Sequence, residues 1–298
     1  MARPGSVLRG ILVLGAGLVA LTACGATPPA DASASDGQRL DVLASFYPLQ
    51  FAAQRVGGDR VTVDNLTKPG AEPHDLELAP QDVAAVARAG LVVYLSGFQP
   101  AVDDAVVQSD TNRAFDVASV ANLDRPGDPH FWLDPTRLAD VGDAIAQRLT
   151  TVDPAGAATY RANATTLRHD LQRLDREFAR GLRSCRSRDI VTSHEAFGYL
   201  AQRYDLQQVG IAGMSPDTEP TASDLADVTA YVKAHNVTTI YYETLVSPTI
   251  AETVARETGA QVAVLDPIEG LAPGTSDSNY LTVMRDNLVS LRAGLGCR

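Results

Sequence analysis

His130 sits between two prolines, in Asp128-Pro129-His130-Phe131-Trp132-Leu133-Asp134-Pro135, a stretch that also holds the only tryptophan. Each proline fixes its own φ and restricts the residue before it, so this imidazole is carried on stiff backbone. His74 follows Pro73 in a loop of structure breakers, residues 67–75. His194 comes directly after an apolar run at 189–192, behind Ser193, a residue suited to cap a helix. Asp266 stands in the same kind of place after the run 261–265, and Glu243 closes another at 237–242. Three imidazoles and one carboxylate make a full tetrahedral shell for Zn²⁺, a borderline ion that takes nitrogen and oxygen donors. The ligands expected from residue type are therefore His74, His130, His194 and Asp266, with Glu243 as a second carboxylate candidate. The spacing is not local: neither H-E-x-x-H nor C-x-x-C occurs. Taken singly, each histidine reads as well as a hydrogen-bonded loop residue, and Asp266 as a helix cap. Glu195, beside His194, reads as a surface helix charge or as an acceptor that orients the imidazole.

For such residues to meet, the elements between them must turn them toward one place. Apolar runs at 40–44, 61–66, 91–95, 112–117, 189–192, 207–211, 237–242 and 261–265 read as strands. Helical runs at 49–56, 80–89, 101–108, 135–149, 196–204, 223–234, 248–258 and 279–295 alternate with them. This alternation predicts an α/β protein with mostly parallel sheets flanked by helices. In such sheets ligands gather beyond the carboxyl ends of the strands, where His74, His194 and Asp266 fall. Residues 154–182 differ. They contain no internal proline, and Leu167, Leu171, Leu174 and Phe178 recur at three- and four-residue steps. This predicts one long helix joining two lobes, with the site in the cleft between them. His169 lies off that stripe and His235 at a helix-to-strand turn, so both read as bystanders. The expected division is a leader at 1–23, a tether at 24–39, an N-terminal lobe at 40–152, the linking helix at 153–184 and a C-terminal lobe at 185–298.

The ends and the composition bound the setting. Arg3 and Arg9 precede an apolar run at 10–20, too short to span a bilayer comfortably and placed where a secretory signal belongs. Leu21-Thr22-Ala23-Cys24 resembles a bacterial lipobox, which implies lipidation at Cys24 and an extracytoplasmic protein anchored to the cell membrane; an ordinary signal peptide is the other reading. Residues 26–38, rich in Ala, Pro, Ser and Asp, have no apolar period with which to bury surface. Cys185 and Cys297 remain, an even pair in an oxidising compartment, and a disulfide between them is expected, with two buried free thiols as the alternative. A net charge of −11 with no clustered basic run argues against nucleic acid as a partner.

Together, Gly70-Ala71-Glu72-Pro73-His74-Asp75, the octapeptide around His130, Ser193-His194 and Leu265-Asp266-Pro267 resemble the metal-binding lipoproteins of bacterial ABC importers, solute-binding proteins with a rigid interlobe helix. The resemblance covers nearly all of the chain beyond the leader. It implies capture of Zn²⁺ and delivery to an ABC permease by a monomer that is not an enzyme. Members specific for manganese tend to carry a carboxylate where this chain has His194, so the resemblance favours zinc, with manganese as the alternative. A zinc hydrolase using Glu195 or Glu243 as base, or an adhesin with a structural metal, are the remaining readings. Many zinc-type relatives carry a histidine-rich acidic loop before the second ligand; residues 122–127 are short and contain no histidine.

Overall fold

Hydrophobic strands that must be covered on both faces pair in parallel when helices return the chain between them, and that is what this chain does twice. The structure is a computed structural model that describes residues 39–109, 111–272 and 278–298. The leader, nearly all of the tether and Cys24 therefore lie outside the described residues. In chain order the first half contains β1 (Leu40–Ala44), α1 (Tyr47–Gly57), β2 (Val61–Asn65), α2 (Pro80–Arg88), β3 (Leu91–Tyr94), α3 (Pro100–Gln108), β4 (Ala114–Asp116), α4 (Ala118–Ala121) and α5 (Pro135–Val152). Next comes α6 (Ala157–Gly181), then β5 (Asp189–Thr192), α7 (Gly198–Tyr204), β6 (Gln207–Gly210), α8 (Ala222–Ala234), β7 (Thr239–Tyr242), α9 (Thr249–Thr258), β8 (Gln261–Val264) and α10 (Tyr280–Gly294). The first sheet has the order β2-β1-β3-β4 and the second β6-β5-β7-β8, and every pairing is parallel. The same strand order in both halves puts two equivalent strand-end crevices within one compact unit, Gln38–Arg298.

The long helix forms as its apolar spacing requires. Tyr160, Ala164, Leu167, Leu171, Leu174 and Phe178 are buried along one face. A short 3₁₀ turn at Pro154–Gly156 precedes it, so the regular helix begins three residues later than the sequence suggests. Its buried face belongs to a core that also takes in Phe46, Trp132, Phe197, Leu265 and Tyr280, from elements on both sides of it. Asp134 caps α5 by accepting from the Thr136 backbone at 2.8 Å, which ends the His130 stretch and fixes where that helix starts. Cys185 and Cys297 are joined in a disulfide, as expected, tying the chain just after α6 to the chain just after α10.

Candidate metal centre

Each of the three histidines is brought to the centre by the segment that follows a strand end. His74 lies in the loop between β2 and α2. Gln99, itself buried, donates to Thr67 Oγ1 at 3.0 Å and to the Pro73 carbonyl at 3.2 Å, and Thr67 donates to the Ser45 carbonyl at 2.8 Å. This chain of bonds pins the loop to the end of β1. Glu72 Oε1 accepts from the His74 backbone at 3.0 Å. His130 opens the 3₁₀ turn Phe131–Leu133 and packs against Trp132, ring centroids 5.2 Å apart and planes tilted by 60°. Trp132 Nε1 donates to the Pro267 carbonyl at 2.7 Å, fastening the His130 turn to the loop after β8. His194 leaves the end of β5, and both it and His130 are fully buried.

The fourth corner is Glu269. Its Oε1 lies 2.9 Å from His130 Nε2, 3.2 Å from His194 Nε2 and 3.5 Å from His74 Nε2. His130 Nε2 and His194 Nε2 are 3.4 Å apart. One ligand atom from each of the four residues fits within 4.8 Å of all the others. Zn–N and Zn–O bonds of about 2.0–2.1 Å in tetrahedral geometry require donor–donor edges of roughly 3.3–3.4 Å. The edges of 2.9, 3.2, 3.5 and 3.4 Å straddle that length before any ion is considered. Glu269 Oε2 and His74 Nε2 are buried atoms with no hydrogen-bond partner, as expected of groups shaped for something other than each other.

Asp266 does not reach this cluster, contrary to what its residue type and strand-end position suggest. Its Oδ1 accepts from the Ile268 backbone at 2.7 Å, and its Oδ2 accepts from Thr244 Oγ1 at 2.5 Å. Its backbone is clamped by Asn287 in two bonds of 2.7 and 2.8 Å. Asp266 thus builds a turn in which Ile268 takes φ 59°, a conformation a β-branched residue rarely adopts. That turn carries the chain three residues further and swings Glu269 inward. Glu243 does not join either. It lies behind His194, its Oε1 2.6 Å from Nδ1. Glu195 is not the partner of His194; Glu243 fills that role.

His130 is buttressed in the same way by Asp128, whose Oδ1 is 2.9 Å from Nδ1. A carboxylate accepts, so in both rings the Nδ1 proton points outward and Nε2 is the atom that faces the centre. Arg125 Nε donates to the other oxygen of Asp128 at 3.0 Å. Burial alone would lower the pKa of His194, but Glu243 and Glu269 outweigh it and push it up to about 10. His130 is likewise raised, burial being outweighed by Asp128 and Glu269. Glu269 is held well below the ordinary carboxylate range: burial opposes its charge, and the three histidines more than compensate. Burial, helped by the charge of Glu269, pushes Glu72 up to about 8, so Glu72 adds no negative charge at neutral pH. Asp128 is matched by Arg125. Burial pushes the Glu243 carboxyl above its ordinary range, His194 beside it opposing the shift, so Glu269 is the carboxylate held charged at the centre.

His235 stacks on Tyr231 with centroids 3.9 Å apart, and His169 is exposed on α6; neither approaches the cluster.

Residues 42–294 match the protein family described as zinc-uptake complex component A, periplasmic. This chain belongs to the ZnuA family. It is 32% identical over 309 aligned positions to the high-affinity zinc uptake system protein ZnuA of Bacillus subtilis, covering 96% of this chain and 97% of that one. Identity is also 32% to the zinc-binding lipoprotein AdcA of Streptococcus pneumoniae, but there 87% of this chain matches only 56% of the relative, so the chain spans about half of AdcA. Among solved structures, the Zn(II)-bound ZnuA-like domain of S. pneumoniae AdcA superposes with a TM-score of 0.76 at 34% identity, over 87% of this chain and 99% of that one. The laminin-binding protein Lmb of Streptococcus agalactiae, described as having adhesin and metal-transporting activity, gives 0.80 at 34% identity, over 86% and 99%. The ZnuA-family fold is thus the doubly repeated parallel sheet with a long connecting helix.

Proposed function

We propose that this protein captures Zn²⁺ outside the cytoplasm and hands it to the permease of an ABC importer, with His74, His130, His194 and Glu269 as the four ligands. The observation that carries this is the set of zinc-sized edges among four donor atoms, three of them fully or almost fully buried. Family membership supports the transport role. Three imidazoles to one carboxylate favour Zn²⁺ over Mn²⁺, which prefers oxygen-rich shells. A shell of four protein donors leaves no position for an activated water. Neither Glu195 nor Glu243 faces the centre as a base, so the role is binding and release and not hydrolysis. In this reading Cys24 carries the lipid anchor, the protein works as a monomer, and the operating units are a lobe at 40–152, a connector at 153–184 and a lobe at 185–298. The sheet order supports that division, since β1–β4 precede α6 and β5–β8 follow it. Competition titration of the metal-free protein with Zn²⁺ and Mn²⁺ tests the assignment. One Zn²⁺ per chain, bound more tightly than Mn²⁺, is expected; tighter Mn²⁺ binding would overturn it.

A further inference from the structure

The chain is acidic overall, with 36 Asp and Glu against 25 Lys and Arg, yet the outward face of α6 carries no exposed carboxylate. Arg161, His169, Arg173, Arg176 and Arg180 are exposed along it, and Arg183 follows just beyond its end. The acids of the helix are drawn sideways instead. Asp170 pairs with Arg55 of α1, Asp175 with Arg203 of α7 at 2.9 Å, and Glu177 with Arg285 of α10 at 2.9 Å. Arg173 shares Asp170, whereas Arg176, Arg180 and Arg183 have no ion-pair partner among the described residues. Backbone bonds from Arg186 to Leu295 and from Arg298 to Ser184, both 3.0 Å, bring two more exposed arginines to the same end. The helix macrodipole favours a cation in the last turn only. It does not explain Arg161, His169 and Arg176, and like charges at three- and four-residue spacing repel.

We propose that this face of α6 rests on an anionic lipid surface. The proposal depends on the lipid anchorage suggested at Cys24, because the anchor supplies the surface. A helix of 25 residues is about 37 Å long. The start of β1 pairs with β2 near the first turns of α6, where Asn163 donates to the Val56 carbonyl at 3.0 Å and Arg60 pairs with Asp153. The chain therefore leaves toward Cys24 beside one end of the helix, and the unpaired arginines stand at the other. Fifteen residues separate Cys24 from Leu40, and the sixteen steps between them span at most roughly 55 Å, enough to let the whole face lie down. Guanidinium groups bind phosphate oxygens in a planar fork. None of the four site residues lies on α6, so the face can be occupied without blocking the centre.

Co-sedimentation of the chain from Cys24 onward, its leader removed and without its lipid, with vesicles of phosphatidylcholine alone or mixed with phosphatidylglycerol tests this. Native protein is expected to bind the anionic vesicles and not the neutral ones. The combined Arg176→Gln, Arg180→Gln, Arg183→Gln variant should bind about 100-fold more weakly, roughly fivefold per arginine, with unchanged zinc affinity. Arg180→Gln alone, with a fivefold loss, keeps the test decisive if the triple variant fails to fold. Equal binding by native and variant, equal binding to both vesicle types, or release by inorganic phosphate beyond that caused by chloride at equal ionic strength would overturn the proposal. Mass spectrometry of the peptide containing Cys24 tests the anchor separately, so failure of one is distinguishable from failure of the other.

Discussion

Asp266 and Glu269 are three residues apart and do different work. One shapes a turn, and the other supplies an oxygen to the centre. Glu269→Gln removes the charge while keeping the shape, and should weaken Zn²⁺ binding more than the 10–100-fold typical of an outer hydrogen-bond partner. Asp266→Asn keeps an oxygen for the Ile268 backbone and should weaken it by less than about tenfold. Competition titration of the two variants checks this, and the reverse ranking would return the ligand role to Asp266. Proton linkage belongs to the same residues. His194 titrates at about 10 in the folded protein, against about 6.5 in an unfolded chain. A raised folded value means that this stabilisation is fully present below pH 6.5 and is lost as pH rises toward 10. Glu72, raised to about 8, acts in the same direction from its unfolded value upward. The melting temperature of zinc-free protein should therefore fall between pH 6.5 and 9, while that of the loaded protein should hold, because the ion replaces the protons on His130 and His194. A zinc-free melting temperature that rises across this range would contradict it. Zinc affinity should keep increasing with pH above 7, not level off there as it would with unperturbed imidazoles. Three of the four clustered residues were legible because proline stiffening and strand-end placement mark a histidine locally. Glu269 was not, because nothing in Asp266-Pro267-Ile268-Glu269 says which carboxylate the turn will bury. The roles of Asp128 and Glu243 depend on side chains meeting across loops, Glu243 from 49 positions away.

At the scale of elements, helix starts were readable because α1, α2, α3 and α5 each have proline in the first turn. The four-residue α4 was missed, since one turn is too short to show a period. The packing of α7 against the His130 loop was equally hidden. A Cβ at Gly198, the first residue of α7, would stand 2.4 Å from Asp128 Oδ2 and from Arg125 Nε. Gly198→Ala should push Asp128 away from His130 and weaken Zn²⁺ binding by roughly 10–100-fold without touching a ligand. Unchanged affinity would show that Asp128 does not orient His130. The disulfide closes a separation of 112 residues. Loop-closure entropy gives that constraint about 4–5 kcal/mol, so Cys185→Ser with Cys297→Ser should lower the denaturation midpoint. The site sits at the other ends of the strands from this bond, and zinc affinity in the folded variant should be unchanged.

For the whole molecule, the α/β class and the similar rhythm of the two halves were readable from alternation alone, whereas the continuity of the core was not. Phe46, Trp132, Phe197, Ile268 and Tyr280 belong to one buried cluster that runs between the two sheets. A fold held together this way does not depend on its metal. Chelation should leave a cooperatively folded protein with its helix content intact; collapse on chelation would make the metal structural. The ion then acts as cargo, and its site is a set of four donors drawn from both halves of the chain. X-ray absorption at the zinc edge of the loaded protein probes that set directly. Three imidazole nitrogens and carboxylate oxygen at about 2.0–2.1 Å, with no sulfur, are expected. A sulfur shell, or fewer than three imidazoles around the ion, would contradict the assignment of His74, His130, His194 and Glu269.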